Sequence, residues 1–213
     1  MGKSVYSLVL DDDLIKLVDA QANKSAKSRS SVINDLIAMQ LRVNTPEMQS
    51  RELVVKMNEV LSQSDKFGIL VQDTSMLLRS ALTYKYNPTV KYTLDVANDK
   101  GIYGILKVTV RSKSTAFLEV FDTFISTWNN TEAKYNPNIE KEYESGKYKR
   151  ILRISGNDSQ IDAASCFSSY ITEFDSAMKL YFDMTANLTS DAADVELVRR
   201  YDEFMKRPGA IIM

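Results

Sequence analysis

The chain has 213 residues, 44% of them hydrophobic and 26% charged, with a formal net charge of −1. That is the make-up of a globular protein of one or two domains. There is no histidine and a single cysteine, Cys166, which excludes histidine triads and proton relays, His/Cys zinc sites and any disulfide within the chain.

The opening residues are not expected to form a signal peptide, because the apolar run ends at Leu10 against Asp11, Asp12 and Asp13. No uncharged apolar stretch has the length of a bilayer span. The expectation is a cytoplasmic protein with no membrane partner.

Residues 4–10 are β-prone, with Tyr6, Leu8 and Leu10 on one face. Asp11 can cap a helix, and the acidic run suits the positive end of a helix dipole. Leu14, Leu17, Val18 and Gln21 keep helical spacing, with Asn23 the expected left-handed end. Ser28 is a second N-cap, and Val32, Ile33, Leu36, Ile37 and Leu41 form the stripe of a second helix.

Composition changes at Pro46: residues 1–46 hold one aromatic, Tyr6, while every other tyrosine, phenylalanine and tryptophan lies beyond. The reading is an α+β protein with a small N-terminal module, residues 1–46, and a C-terminal domain, residues 47–213. One strand and two helices cannot bury their apolar faces alone. Pairing two copies about a two-fold axis joins the strands into a ribbon and the four helices into one core.

Residues 3–42 resemble the ribbon-helix-helix DNA-binding family. The resemblance rests on the strand 4–10, the Asp-capped helix 12–22, the turn Asn23-Lys24-Ser25-Ala26-Lys27, and Ser28-Arg29-Ser30-Ser31 opening the second helix. It implies a two-stranded ribbon in the major groove of double-stranded DNA and a phosphate held at the start of the second helix. By position, the outward ribbon residues are Lys3, Val5 and Ser7, and the phosphate clamp is Ser28, Arg29 and Ser30. Val5 and Val9 depart from the polar or basic side chains usual on such ribbons, and the inter-helix turn lacks the glycine often found there. The module carries six basic and five acidic residues, with Lys24, Lys27 and Arg29 grouped at the clamp. Placement counts for more than that sum.

Beyond Pro46 a helix is expected, with Leu53, Val54, Met57, Val60 and Leu61 on one face. Residues 89–111 read as a hairpin turning at Asn98-Asp99-Lys100-Gly101. A helix with Phe117, Val120, Phe121, Phe124, Ile125 and Trp128 follows, then a strand over residues 148–155. A long helix carries Ile161, Ala164, Ile171, Phe174, Met178 and Phe182, and a last one starts at Asp191 or Asp194 and ends before Pro208. Lys85-Tyr86-Asn87-Pro88 recurs as Lys134-Tyr135-Asn136-Pro137, each followed by a glycine turn, a strand and a helix. That suggests a duplicated strand–turn–strand–helix unit over residues 85–128 and 134–185, with coincidence the plainer alternative.

One sheet face is expected to carry Lys91, Lys107, Arg111, Lys149 and Arg153, a second surface for nucleic acid or an acidic partner if it is not simply solvated. Gly101-Ile102-Tyr103-Gly104 resembles a phosphate-clamping GxxG, but a hairpin turn accounts for it better. No catalytic residue, cofactor or metal is expected: no Walker loop or GxGxxG occurs, and Cys166 has no histidine to activate it. The chain therefore reads as a homodimer or dimer of dimers, not an enzyme, that binds double-stranded DNA, most simply as a transcriptional repressor. Its C-terminal domain would oligomerise, sense a ligand or recruit a protein. An accessory factor of plasmid transfer or partition, and a dimerisation module without DNA, are the alternatives.

Overall fold

The computed structural model describes residues 4–85, 87–99, 101–154, 162–187 and 189–207. Lys3, Tyr86, Lys100, Ser155, Ile161 and Pro208, which figure in the expectations above, lie outside them. The protein is mixed α+β and divides into two compact units, Met1–Gln49 and Ser50–Met213. The division falls one turn inside a helix, slightly beyond the break expected at Pro46.

In the first unit, α1 spans Asp12–Ser25 and α2 spans Arg29–Gln40. The Asp11 carboxylate accepts from the Asp13 amide and caps α1, while Asp12 and Asp13 sit in its first, positive turn. The helix passes Asn23 and ends later than expected. Ala26 takes the left-handed conformation, φ 52°, and its amide donates back to the carbonyls of Ala22 and Asn23. The Ser28 hydroxyl caps α2 by accepting from the Ser31 amide at 3.1 Å. Residues 4–10 are non-helical and form no hydrogen-bonded ladder, because the described residues of this unit hold no other strand to pair with them.

The second unit takes up α3, Pro46–Leu61, from Ser50 onward. Six strands follow in two runs: β1 Gly68–Gln72, β2 Ser75–Ala81, β3 Thr89–Asn98 and β4 Ile102–Val110, then β5 Lys141–Glu144 and β6 Lys147–Arg153. Helix α4, Thr115–Tyr135, lies between the runs; α5, Ala163–Asn187, and α6, Ser190–Met205, come last among the described elements. The strands make one antiparallel sheet in the order β1-β2-β3-β4-β6-β5. Strands β1 and β2 were not anticipated, and β5 only as the leading strand of the suggested second repeat. Helix α6 starts before Asp191, capped by Thr189, and Val60 of α3 is exposed rather than packed.

Alternation along the strands sorts the sheet into two faces. Val90, Tyr92, Leu94 and Val96 of β3, Leu106 and Val108 of β4, and Tyr148 and Leu152 of β6 are buried. Against that face pack Phe117, Phe121, Phe124 and Trp128 of α4 and Phe167, Phe174 and Phe182 of α5. The Tyr148 and Phe174 rings stack 5.6 Å apart, and the Tyr92 hydroxyl donates to Asp175 of α5 at 2.8 Å. Gly104 is needed at its place in β4. A Cβ there would come within 2.9 Å of Leu94 and 3.1 Å of Phe167, so a side chain would push α5 off the sheet.

The two Lys-Tyr-Asn-Pro copies do different work. Asn87 is left-handed, φ 42°, in the loop before β3, whereas Lys134 and Tyr135 belong to the last turn of α4 and Asn136 is its extended cap. The strand–strand–helix order does recur as β3-β4-α4 and β5-β6-α5. The tetrapeptide match does not mark equivalent positions.

Candidate nucleic-acid interface

In the first unit, residues 4–10 are all exposed, Tyr6 at 80%. Val5 and Val9 are fully exposed, while Leu8 and Leu10 keep 63% and 39% of their surface. Ser7 is exposed. The apolar stripes of the helices are also open, with Leu14, Leu17, Leu36, Ile37 and Leu41 exposed. Buried hydrophobic residues in α1 and α2 are the small or medium ones, Ala22, Val32 and Ala38.

Around the start of α2, Ser28, Arg29 and Ser30 are all exposed. The Ser28 hydroxyl is taken up by its capping bond, and the Arg29 and Ser30 amides occupy the first turn, where helix amides have no intrahelical acceptor. Arg29 is not free. Its guanidinium grips Asp19 of α1 through two bonds, Nε to Oδ1 and Nη2 to Oδ2, each 2.6 Å. Arg29 holds the Asp19 carboxyl below the usual carboxylate range. Lys27 pairs with Asp35 at 3.0 Å, so of the three clustered cations Lys24 alone has no partner among the described residues. The Asp19 contact was missed in the sequence, because a ten-residue separation across a turn carries no periodic signal.

In the second unit, Lys91, Lys107, Lys149 and Arg153 lie on the sheet face turned away from the helices, and Arg111 follows β4 in the same alternation. Lys107 and Lys149 are direct cross-strand partners. Arg79 of β2 joins them, directly opposite Lys91; it went unnoticed because β2 itself was not foreseen. Acidic neighbours hold several of these groups: Asp95 bonds Lys107 at 3.0 Å, Glu142 bonds Lys149 at 2.7 Å, and Glu140 bonds Arg153 at 2.7 Å. Arg153 also lies 5.5 Å over the Tyr103 ring. A depression of about 330 Å³ opens along β4, β6 and β5, lined by Lys107, Lys147 and Lys149 together with Glu142 and Glu144.

The helix-covered side holds a buried polar network. Arg150 and Glu132 are 1% and 2% exposed and bond at 3.2 Å. The Tyr170 hydroxyl donates to Glu132 at 3.0 Å and accepts from the Trp128 indole at 3.2 Å. Burial pushes the Tyr92, Tyr148 and Tyr170 hydroxyls well up, and nearby carboxylates add to it. Cys166 is buried, its thiol pushed up first by desolvation and then by Asp162, which suits a packed thiol rather than a nucleophile. Gly101 has φ 129° in the β3–β4 turn, so the GxxG serves a hairpin.

Among the described residues no cluster of three or more acidic or cysteine side chains is placed to hold a metal ion, and no helix is long and apolar enough to cross a membrane. No family model, curated protein or solved structure matches the chain.

Proposed function

We propose that the first unit pairs with a second copy of itself as a ribbon-helix-helix dimer and binds double-stranded DNA, acting as a transcriptional repressor. The observation that carries this reading is an unpaired, exposed β-prone segment joined to two capped helices whose apolar stripes are open to solvent. A two-fold partner answers all of these at once. The segments pair antiparallel with Tyr6, Leu8 and Leu10 inward, and the stripes of four helices meet. Each leucine or isoleucine fully covered in that way contributes about 1.5–3 kcal/mol.

The outward ribbon then presents Lys3, Val5 and Ser7 to the major groove. The free amides at the start of α2, with Ser30 beside them, receive a backbone phosphate. Arg29 completes that contact once it leaves Asp19. Valines at positions 5 and 9 suit thymine methyl groups rather than bidentate base bonds. The second unit, with its own core, supplies oligomerisation, ligand sensing or recruitment.

The test is selection of bound genomic fragments by the full chain at two salt concentrations, with a triple variant, Lys3→Ala, Ser7→Ala and Arg29→Ala, alongside. The variant is expected to lose DNA retention and stay dimeric. Unchanged retention would remove the ribbon reading.

A further inference from the structure

We infer that the open face of the sheet in the second unit is a contact surface for the phosphate backbone of duplex DNA, distinct from the ribbon and clamp of the first unit. The argument starts from strand register. On an antiparallel sheet, residues directly opposite each other are near neighbours, and like charges there cost stability. This face contains two such pairs, Arg79 opposite Lys91 and Lys107 opposite Lys149. Thr93 lies between Leu77 and Lys107 in one row, which ends beyond Lys149 at Glu142 of β5; Lys91 and Thr109 continue the other from Arg79 to Lys147, which ends at Glu144 of β5. The like-charged pairs therefore sit in adjacent rows on neighbouring strands, a basic patch in a unit that is acidic by two charges over residues 47–213.

Several of these cations are available. Arg79, Lys91 and Arg111 are exposed and have no partner among the described residues. Lys107 and Lys149 hold Asp95 and Glu142 only at the surface. Such pairs are worth about 0–1 kcal/mol and are readily exchanged for a phosphate. Hydroxyls from Thr93 and Thr109 are interleaved with them, adding neutral donors of the kind that bond phosphate oxygens.

Charge complementarity chooses the occupant. The outward positions carry Arg79, Lys91, Lys107, Lys147, Lys149 and Arg153 against Asp95, Glu142 and Glu144, so a second copy of this face would meet it with a net like charge. A polyanion relieves the repulsion. Duplex DNA is chosen over an acidic protein because the first unit is read as a DNA-binding dimer, and that choice rests on the reading above. Once one unit is on the duplex, the other meets phosphates at high effective concentration.

The experiment uses the full-length chain and a fluorescent duplex of random sequence, titrated across salt. The variant is Lys91→Glu with Lys149→Glu. Lys91→Glu faces Arg79 and Lys149→Glu faces Lys107, but Lys149→Glu also gives up Glu142 and meets it as a like charge. Lys91→Glu alone, which has no acid opposite it, is therefore run beside the double variant and is expected to melt no lower than the parent and to lose part of the affinity. The double variant's affinity should fall roughly tenfold, and the salt slope should drop by about one for each phosphate no longer neutralised. A control, Lys66→Glu with Lys113→Glu, makes the same change in net charge elsewhere on this unit. Equal losses in variant and control would overturn the surface. So would tight binding of a poly-glutamate peptide that the duplex fails to displace. If the variant loses binding while Lys3→Ala/Ser7→Ala/Arg29→Ala does not, the sheet surface stands and the ribbon reading falls; the reverse result rejects the surface alone.

Discussion

The two units solve the problem of an interior in opposite ways. The second surrounds Trp128, Phe124 and Phe174 with rings from four elements, the Trp128 and Phe174 centroids 5.0 Å apart and Tyr201 4.9 Å from Trp128. It can even enclose an ion pair, Glu132 and Arg150. The first buries Ala22, Val32 and Ala38 and leaves its leucines outside. A unit with so little covered surface cannot offset its chain entropy alone. One unit closes a core within a single chain, and the other leaves its apolar stripes open.

That contrast can be broken most directly at Glu132. Glu132→Ala would strand a buried guanidinium whose Nη2 already lacks a partner. The expected loss is about 3–5 kcal/mol per chain, read from denaturant unfolding followed by Trp128 fluorescence. Its midpoint should not depend on protein concentration, and replacing Glu132 and Arg150 together by apolar residues should recover most of the loss. An unshifted midpoint for Glu132→Ala would mean the network contributes little.

The first unit should behave oppositely. Leu36→Ala is expected to weaken association by about 1.5–3 kcal/mol per chain, seen by analytical ultracentrifugation as dissociation at higher concentration. Residues 1–46 alone should be dimeric or unfolded. A folded monomer would show that the open stripes need no partner.

Alkaline pH separates the units next. Buried Tyr92, Tyr148 and Tyr170 keep their protons in the folded state well above pH 10, where the unfolded chain releases them. The unfolded state then binds fewer protons, so stability is intact below about pH 10 and declines above it, by about 1.4 kcal/mol per pH unit for each tyrosine. Tyr170→Phe should flatten the decline for the second unit. Among the described residues the first unit buries no tyrosine, so the decline reports on the second unit.

The smallest effect concerns Asp19. It holds the Arg29 guanidinium in the geometry a phosphate would use. Asp19→Asn should free Arg29 and tighten DNA binding roughly twofold to fivefold in a fluorescence titration. Weaker binding would show that Asp19 positions Arg29 rather than competing for it.

Elements with a strong internal period were legible. Phe117, Phe121, Phe124 and Trp128 mark α4, and Val90, Tyr92, Leu94 and Val96 mark β3. Strand β5, Lys-Glu-Tyr-Glu, was foreseen only through the suggested repeat, because edge strands are protected by charge and show no apolar face. Strand β2 reads Met-Leu-Leu-Arg-Ser-Ala after its first serine, residues that suit a helix as well as a strand. Its pairing with β3 along seven positions decides the matter. The cap of α2 was legible from Ser28, and the placing of Lys91, Lys107 and Lys149 on one sheet face from strand alternation. The partners of these groups were not, since the contacts join residues far apart in sequence.

Length, residue types and period by themselves determined that there are two units, that histidine chemistry is absent, and that the first forty residues cannot complete their own core. Those are properties of composition and of local geometry, which the chain carries before it folds. The tertiary structure alone decided that Arg79 faces Lys91, that Lys107 faces Lys149, that Asp19 occupies Arg29 and that Glu132 meets Arg150 beneath the sheet. Strand register and helix packing set those meetings, and a shift of one residue would send each of the strand side chains to the opposite face.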